Sequence, residues 1–317
     1  MDATNRPPTW QVLLAFSIVY FVWGSTFLAI RIGVMEVPPF LLAGMRFLLA
    51  GGALYAWMRV RGAVSPTARE WASATLLALL IFVGDYGLVF WAEQRVPSGI
   101  AAIMLATIPM FMALSEIFIL GTQRLTARLA LALLVGIAGV GVLVNRTLSF
   151  GEDAIATSGA IALLVAALSW SVAAALSRKL PLPASKPVSS GAQMLCGGVL
   201  LTLTAGALGE FRGFHPQAVS RGAWAALAYL VVAGSIVAFT AYVWLIHHES
   251  PTRVGTYAYV NPVIAVVLGH FLGGEAVGPR TVLGTLLVLV SVVVITTTPA
   301  KKPAPTWVEE APEGAEP

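Results

Sequence analysis

Four residues recur at a constant interval. Trp71, Trp91, Pro109 and Gly121 return as Trp224, Trp244, Pro262 and Gly274, each 153 positions later. A fixed-period match with its internal spacing intact marks a duplicated structural unit. The frame sits on apolar runs of membrane length, so the unit is a block of helices, and each block holds five runs. An odd number of crossings sends the second copy through the membrane in the opposite sense. The expected fold class is therefore an all-α polytopic membrane protein: ten transmembrane helices as two inverted five-helix repeats.

Composition excludes a soluble fold. Charged residues make up 11% of the chain and hydrophobic ones 58%, with mean hydropathy +0.84; soluble domains carry about 25% charged residues. A bilayer core takes about 20 apolar residues per helix. Ten stretches qualify: 11–33, 39–59, 71–92, 98–120, 127–144, 156–178, 188–209, 222–246, 252–272 and 280–298. The first repeat then covers 11–144 and the second 156–298. The longest internal loop, Asn145 to Asp153, joins them. Residues 299–317 are rich in Pro and Glu and read as a disordered cytoplasmic tail. The run after Trp10 is long enough to span and is expected to stay as the first helix, not a cleaved leader.

Positive charge sets the orientation. With the N-terminus inside, Lys and Arg divide twelve inside to six outside, which places both termini in the cytoplasm. The halves echo each other further. Trp23 and Arg31 match Trp170 and Arg178, Gly51-Gly52 match Gly197-Gly198, and Arg128 and Arg280 open spans 5 and 10.

These residues resemble the bacterial drug/metabolite transporter superfamily, EamA type, in wording like that of its YedA-type exporters. The resemblance rests on Phe21-Val-Trp-Gly-Ser25, Pro39-Phe-Leu-Leu-Ala-Gly-Met-Arg46-Phe, Ala92 to Ala102 with Ala106-Thr-Ile-Pro109, Ser250-Pro251, Tyr257-Ala-Tyr-Val-Asn-Pro262 and Gly273-Gly-Glu275. It runs over most of residues 10–298. It implies ten helices, two EamA repeats, residence in a bacterial inner membrane and export of small metabolites or drugs. Thr122 departs from it, since the family often has an acid after the glycine that ends span 4.

Candidate site residues come from the interior of the spans. Pro109 and Pro262 fall near mid-span in spans 4 and 9 and are expected to break them. Proline frees a carbonyl one turn back, and loosened backbone in lipid needs a partner or a wet cavity. Paired interruptions point to a transporter site at the midplane. Asn261 adds an amide at the second one. Ionisable groups in a span are costly, which singles out Arg46 and Asp85. They lie at similar depth and are expected to face each other or a shared cavity. Asp85 is read as an ion-pair partner, a cation site or a proton carrier; Glu116, nearer the cytoplasmic end, is a second proton-carrying candidate. Trp23, Ser25, Tyr86, Trp91, Trp170, Tyr242 and Tyr257 are expected to line the cavity, where aromatic faces attract cations and stack on planar groups. Gly136, Gly139 and Gly141 in span 5 allow close helix approach, and spans 5 and 10 read as outer scaffold. His247-His248-Glu249 reads as an interfacial loop and not a metal site, because adjacent histidines diverge.

The function expected is a secondary transporter exporting small, amino-acid-like metabolites or drugs. The alternatives are a polytopic enzyme on lipid-linked substrates, for which no phosphate loop, metal cluster or nucleophile triad is visible, or a channel, for which a polar lining is lacking. No cofactor is expected. The partners expected are a small-molecule substrate and membrane lipid, without nucleic acid, and a homodimer is compatible.

Overall fold

The computed structural model describes residues 7–121, 124–144, 154–249 and 251–297. Thr122, the loop at 145–153 and the tail at 299–317 lie outside the described residues. Among those described, every regular element is helical. Ten helices form the framework: α1 Thr9–Val34, α2 Pro39–Val60, α3 Ala68–Glu93, α4 Ser98–Leu120, α5 Ala127–Val144, α6 Ala154–Ser177, α7 Lys186–Ala207, α8 Arg221–Leu245, α9 Tyr257–Phe271 and α10 Pro279–Thr296. Nine of these described helices are long and apolar enough to cross a bilayer; α9, at 15 residues, is shorter. The sequence places its start at 252, but the chain makes a separate turn at Pro251–Val254 and breaks at Gly255 and Thr256. Helical geometry at the end of α8 continues to His248, where a loop is expected; the His248 ring stacks on Trp244 at 4.2 Å.

Local signals explain the helix limits. Thr67 and Glu70 form a capping box at the start of α3, each satisfying a free N–H of the other. Proline occupies the first turn of α2, α7 and α10, where its missing N–H costs nothing. Among the described residues, four glycines have positive φ, and they fall into two matched pairs. Gly62 (φ 81°) and Gly209 (φ 77°) follow α2 and α7, and Gly121 and Gly274 (both φ 66°) follow α4 and α9. A left-handed residue ends a helix by turning the chain back on its last carbonyls, and glycine does so without a Cβ penalty.

Packing runs in corresponding pairs. α2 lies along α7, and α5 along α10. α1 packs on α8 and α9, as α6 packs on α3 and α4. Bare backbone permits the closest approaches. A Cβ on Gly139 would fall 2.9 Å from Leu287 Cβ and 2.9 Å from Val288 N, and one on Gly284 3.1 Å from Gly139 O. Gly141 departs from expectation: nothing approaches within 4 Å of its Cβ position, so it makes no close contact. Leu131, Leu134 and Ile137 of α5 and Leu283, Leu286 and Val290 of α10 are exposed, which gives this pair an apolar outer face fit for lipid.

The third helix of each half carries a π segment, Leu79–Gly87 in α3 and Leu230–Val237 in α8. In the second, Ser235 Oγ donates to the carbonyl of Leu230, five residues back, at 2.9 Å. Such turns are rare and concentrate at functional sites.

Candidate functional site

One aromatic group forms where α1, α8 and α9 meet. The Trp23 ring centroid lies 5.2 Å from Tyr242 and 5.2 Å from Tyr257, and those two meet edge to face at 5.8 Å. Trp23 Nε1 donates to Gly234 O at 3.1 Å. Its rotamer is thereby tied to the π segment of α8, whose carbonyls are displaced from the regular ladder. Ser25 Oγ shares a 2.6 Å hydrogen bond with Tyr229, and Tyr20 a 2.5 Å one with Thr256. Asn261, 8% exposed, donates to the carbonyls of Tyr20 (3.1 Å) and Tyr257 (3.2 Å) when its amide nitrogen faces them.

A second group surrounds Arg46 on α2. Tyr86 packs 4.7 Å from Phe47 and 6.2 Å from Trp170, edge-on to the latter. The Arg46 guanidinium lies 4.8 Å over Phe47 and 5.4 Å over Tyr86. Its Nε donates to Ser235 Oγ at 3.0 Å, so the α8 π segment holds this side chain as well. Gly234 separates the two groups: its carbonyl receives Trp23, and a Cβ there would fall 3.4 Å from Arg46 Nη2. Arg46 is 3% exposed and its Nη1 has no partner among the described residues. A guanidinium held on one edge, with donors free on another, suits a bidentate oxyanion.

Arg46 and Asp85 do not form an ion pair. Neither makes an ion pair within 4 Å among the described residues. Asp85 sits in the α3 π segment, 4% exposed, with Oδ1 unpartnered. Arg46 turns to Ser235 and to the faces of Phe47 and Tyr86, so similar depth does not by itself make an ion pair. Trp91 also stands apart, without a ring pair among the described residues; the Arg95 guanidinium covers it at 3.8 Å near the end of α3. Pro109 follows a turn at Ala106 and Thr107 that interrupts α4. Pro262 lies inside α9 without ending it, and the break on that side falls at Gly255 and Thr256.

At the end of the bundle where α1 finishes, three carboxylates cross between the halves onto helix starts. Glu275 accepts from Ser98 N (2.7 Å) and Gly99 N (3.0 Å) at the start of α4. Glu210 accepts from Leu41 N (2.9 Å) in α2; burial raises its carboxyl, partly offset by that N–H. Glu36 accepts from Ser220 Oγ (2.7 Å) and Ser220 N (2.6 Å) ahead of α8. Negative charge suits these positive helix ends. The Ser220 hydroxyl and then its N–H hold the Glu36 carboxyl below its ordinary value. Its stabilising contribution is therefore present above the unfolded pKa of about 4.3 and is lost as pH falls through the lower folded value. In Glu36→Gln, thermal midpoints followed between about pH 5 and pH 3 are expected to fall less steeply than in the parent.

Sequence reasoning missed Ser235, Gly234, Tyr229 and Thr256. Short polar or bare residues in an apolar helix carry no pattern of their own; the π register that aims them is visible only in three dimensions. Glu93, at the end of α3, is fully buried, and neither carboxylate oxygen has a hydrogen-bond partner among the described residues.

Residues 9–145 and, again, 157–297 match the model of the EamA-like transporter family. The chain belongs to this family. It is 37% identical over 284 residues to "Uncharacterized inner membrane transporter YedA" of Escherichia coli (strain K12), covering 89% of each. It is 25% identical over 277 residues to Protein PagO of Salmonella typhimurium (strain LT2), covering 86% of this chain and 88% of the other. A solved crystal structure, 22% identical, superposes with a TM-score of 0.60 over 91% of this chain and 98% of its own. Membership in the EamA family makes the chain a transmembrane transporter, and the two aromatic groups then lie in a transport protein's interior.

Proposed function

We propose that this EamA protein is a secondary transporter of the bacterial inner membrane that exports small, amino-acid-like metabolites or drugs. It works by alternating access around a central chamber between two inverted repeats, with both termini cytoplasmic. The observation that carries this reading is Arg46: a buried guanidinium with free donors, between two aromatic groups drawn from both halves. A buried charge persists where something is to pair with it. A substrate carboxylate on Arg46, a cationic or planar part against Trp23, Tyr242 and Tyr257, and Tyr86 and Trp170 on the other side form a consistent pose. Ser25 and Asn261 supply polar contacts at the first group. The matched contacts of α2 with α7 and α5 with α10, and the matched left-handed glycines, support an inverted two-fold relation. The family resemblance and the name of the E. coli relative support the membrane assignment.

The test is counterflow in proteoliposomes with pooled labelled amino acids, purines and organic cations, with and without a pH gradient. Saturable accumulation of one pool supports the carrier. Product formation without net movement would overturn it in favour of an enzyme, and flux that never saturates in favour of a channel.

Asp85 is the first candidate for proton coupling and Glu116 the second. If Asp85 carries the proton, Asp85→Asn keeps exchange of labelled for unlabelled solute but loses the pH-gradient stimulation. Normal gradient-driven transport by that variant would end the proton-carrier role.

A further inference from the structure

Arg31 and Arg178 hold corresponding places in the two halves, each eight residues after a matched tryptophan, Trp23 and Trp170. Arg31 lies in the last turn of α1, and its Nε is 3.6 Å from Glu275 Oε1, just past α9. Arg178 directly follows α6, and its Nη2 is 3.2 Å from Glu116 Oε1, late in α4. The arginines and the helices correspond, but the acids do not: 153 positions before Glu275 stands Thr122, and 153 after Glu116 stands Gly269, so each end supplies its acid from a different place. Each pair joins the first half to the second, and the two pairs sit at opposite ends of α4, which starts against Glu275 and carries Glu116 near its finish.

We infer that Arg31–Glu275 and Arg178–Glu116 are the two latches of the transport cycle, one at each membrane face, and that they part in alternation. The inference rests on the alternating-access reading above and deepens it by naming the positioning residues at each face. The latches differ in this conformation. Glu275 is 10% exposed and also holds two N–H groups of α4, while Arg31 Nη1 donates to the carbonyls of Glu93 (2.5 Å) and Val96 (2.9 Å). Arg178 is 56% exposed and Glu116 26%. A cavity of about 10 Å³ lies against each pair, bordered by Ser115 and Ser171 at Glu116 and by Gly99 and Thr281 at Glu275. The Arg31 pair is the more buried and the more heavily hydrogen-bonded of the two. Glu93 accounts for the reversibility of that pair. Its backbone carbonyl already accepts from Arg31 Nη1, and its buried carboxylate has no hydrogen-bond partner among the described residues, so on this reading it is the acid that receives the guanidinium when Glu275 leaves.

The test uses the full chain with Cys196→Ser and a reporter, Ser25→Cys, in the chamber. An impermeant methanethiosulfonate reagent is applied to right-side-out and to inside-out vesicles. Arg31→Gln is expected to raise labelling from the face where α1 ends by about fivefold or more and to lower it from the other. Arg178→Gln is expected to do the reverse. The exchanged pair Arg178→Glu with Glu116→Arg is expected to restore the parent pattern, which also shows that the variants fold. Shifts in the same direction for both arginine variants, or no shift, would overturn the latches. Counterflow is measured separately, on the protein with Ser25 intact. If the opposed shifts appear but that protein carries no solute, the exporter reading falls and the latches stand. If its counterflow is found and the shifts are not, the latches fall and the exporter stands.

Discussion

Arg46→Met is expected to abolish transport while leaving the protein as stable as the parent or more so. The two effects have separate causes. Removing one member of a buried, hydrogen-bonded charge pair costs about 2–5 kcal/mol, so a substrate oxyanion bound by Arg46 would lose roughly thirty-fold to several thousand-fold in kcat/KM. The folded protein, by contrast, loses a buried guanidinium whose Nη1 has no partner, over Phe47 and Tyr86, and gains an unbranched apolar chain of similar length. Replacing a buried charge by a well-packed hydrophobe is commonly neutral or stabilising. Arg46→Lys keeps the charge but loses the planar fork, so its activity is expected to fall between the two. Initial counterflow rates and thermal unfolding in detergent measure both sides. Transport at the parent rate by the Arg46→Met protein would exclude Arg46 from substrate binding. A large loss of stability would assign it a structural role.

The second large effect is expected at the α2–α7 contact. A Cβ on Gly198 would meet Leu48 N at 2.6 Å and Leu48 Cα at 3.0 Å; one on Gly51 would meet Leu195 N at 2.6 Å. These are backbone atoms and cannot rotate aside. Gly51→Ala and Gly198→Ala are each expected to destabilise by about 1–3 kcal/mol, the usual range for overpacking. Gly52, beside one of them, has nothing within 4 Å of its Cβ position. Gly52→Ala is expected to change stability by less than about 0.5 kcal/mol. Unfolding midpoints of the three variants decide it. Equal effects at Gly51 and Gly52 would mean that the two helices do not cross where the structure has them.

These glycines also show how far the sequence could be read. The repeated Gly-Gly pair is visible as text at 51–52 and 197–198, but which member faces the partner is not, because both lie in uninterrupted apolar helix. The spans were legible because a bilayer demands long apolar runs, and nine of the ten expected spans begin and end within a few residues of the helices described. The tenth fails at Gly255-Thr256, where the polar run Pro251-Thr-Arg-Val-Gly-Thr256 makes its own turn before the apolar helix begins. Arg46 and Asp85 stood out as charges in spans, yet their lack of an ion pair follows from the π segments and from Ser235, and no periodicity encodes those. The frame of Trp, Pro and Gly pointed to paired helix interruptions, but proline marks a break in α4 and is absorbed in α9. Proline limits the hydrogen bonds available; the packing around it decides whether the helix ends.

The π segments of α3 and α8 have a consequence for reading related sequences. A π turn spreads its hydrogen bonds over one more residue than an α turn, so such a segment is an inserted residue absorbed without a loop. Deleting one residue between Leu79 and Gly87 would restore plain α geometry and leave Trp91 and Glu93 beyond it facing as before, while the side chains inside the segment, Asp85 and Tyr86 among them, would be re-aimed around the helix axis. Within an alignment of this family, a one-residue gap in the middle of the third or eighth helix is therefore a change of aim: two chains that differ by it present different side chains to the same interior.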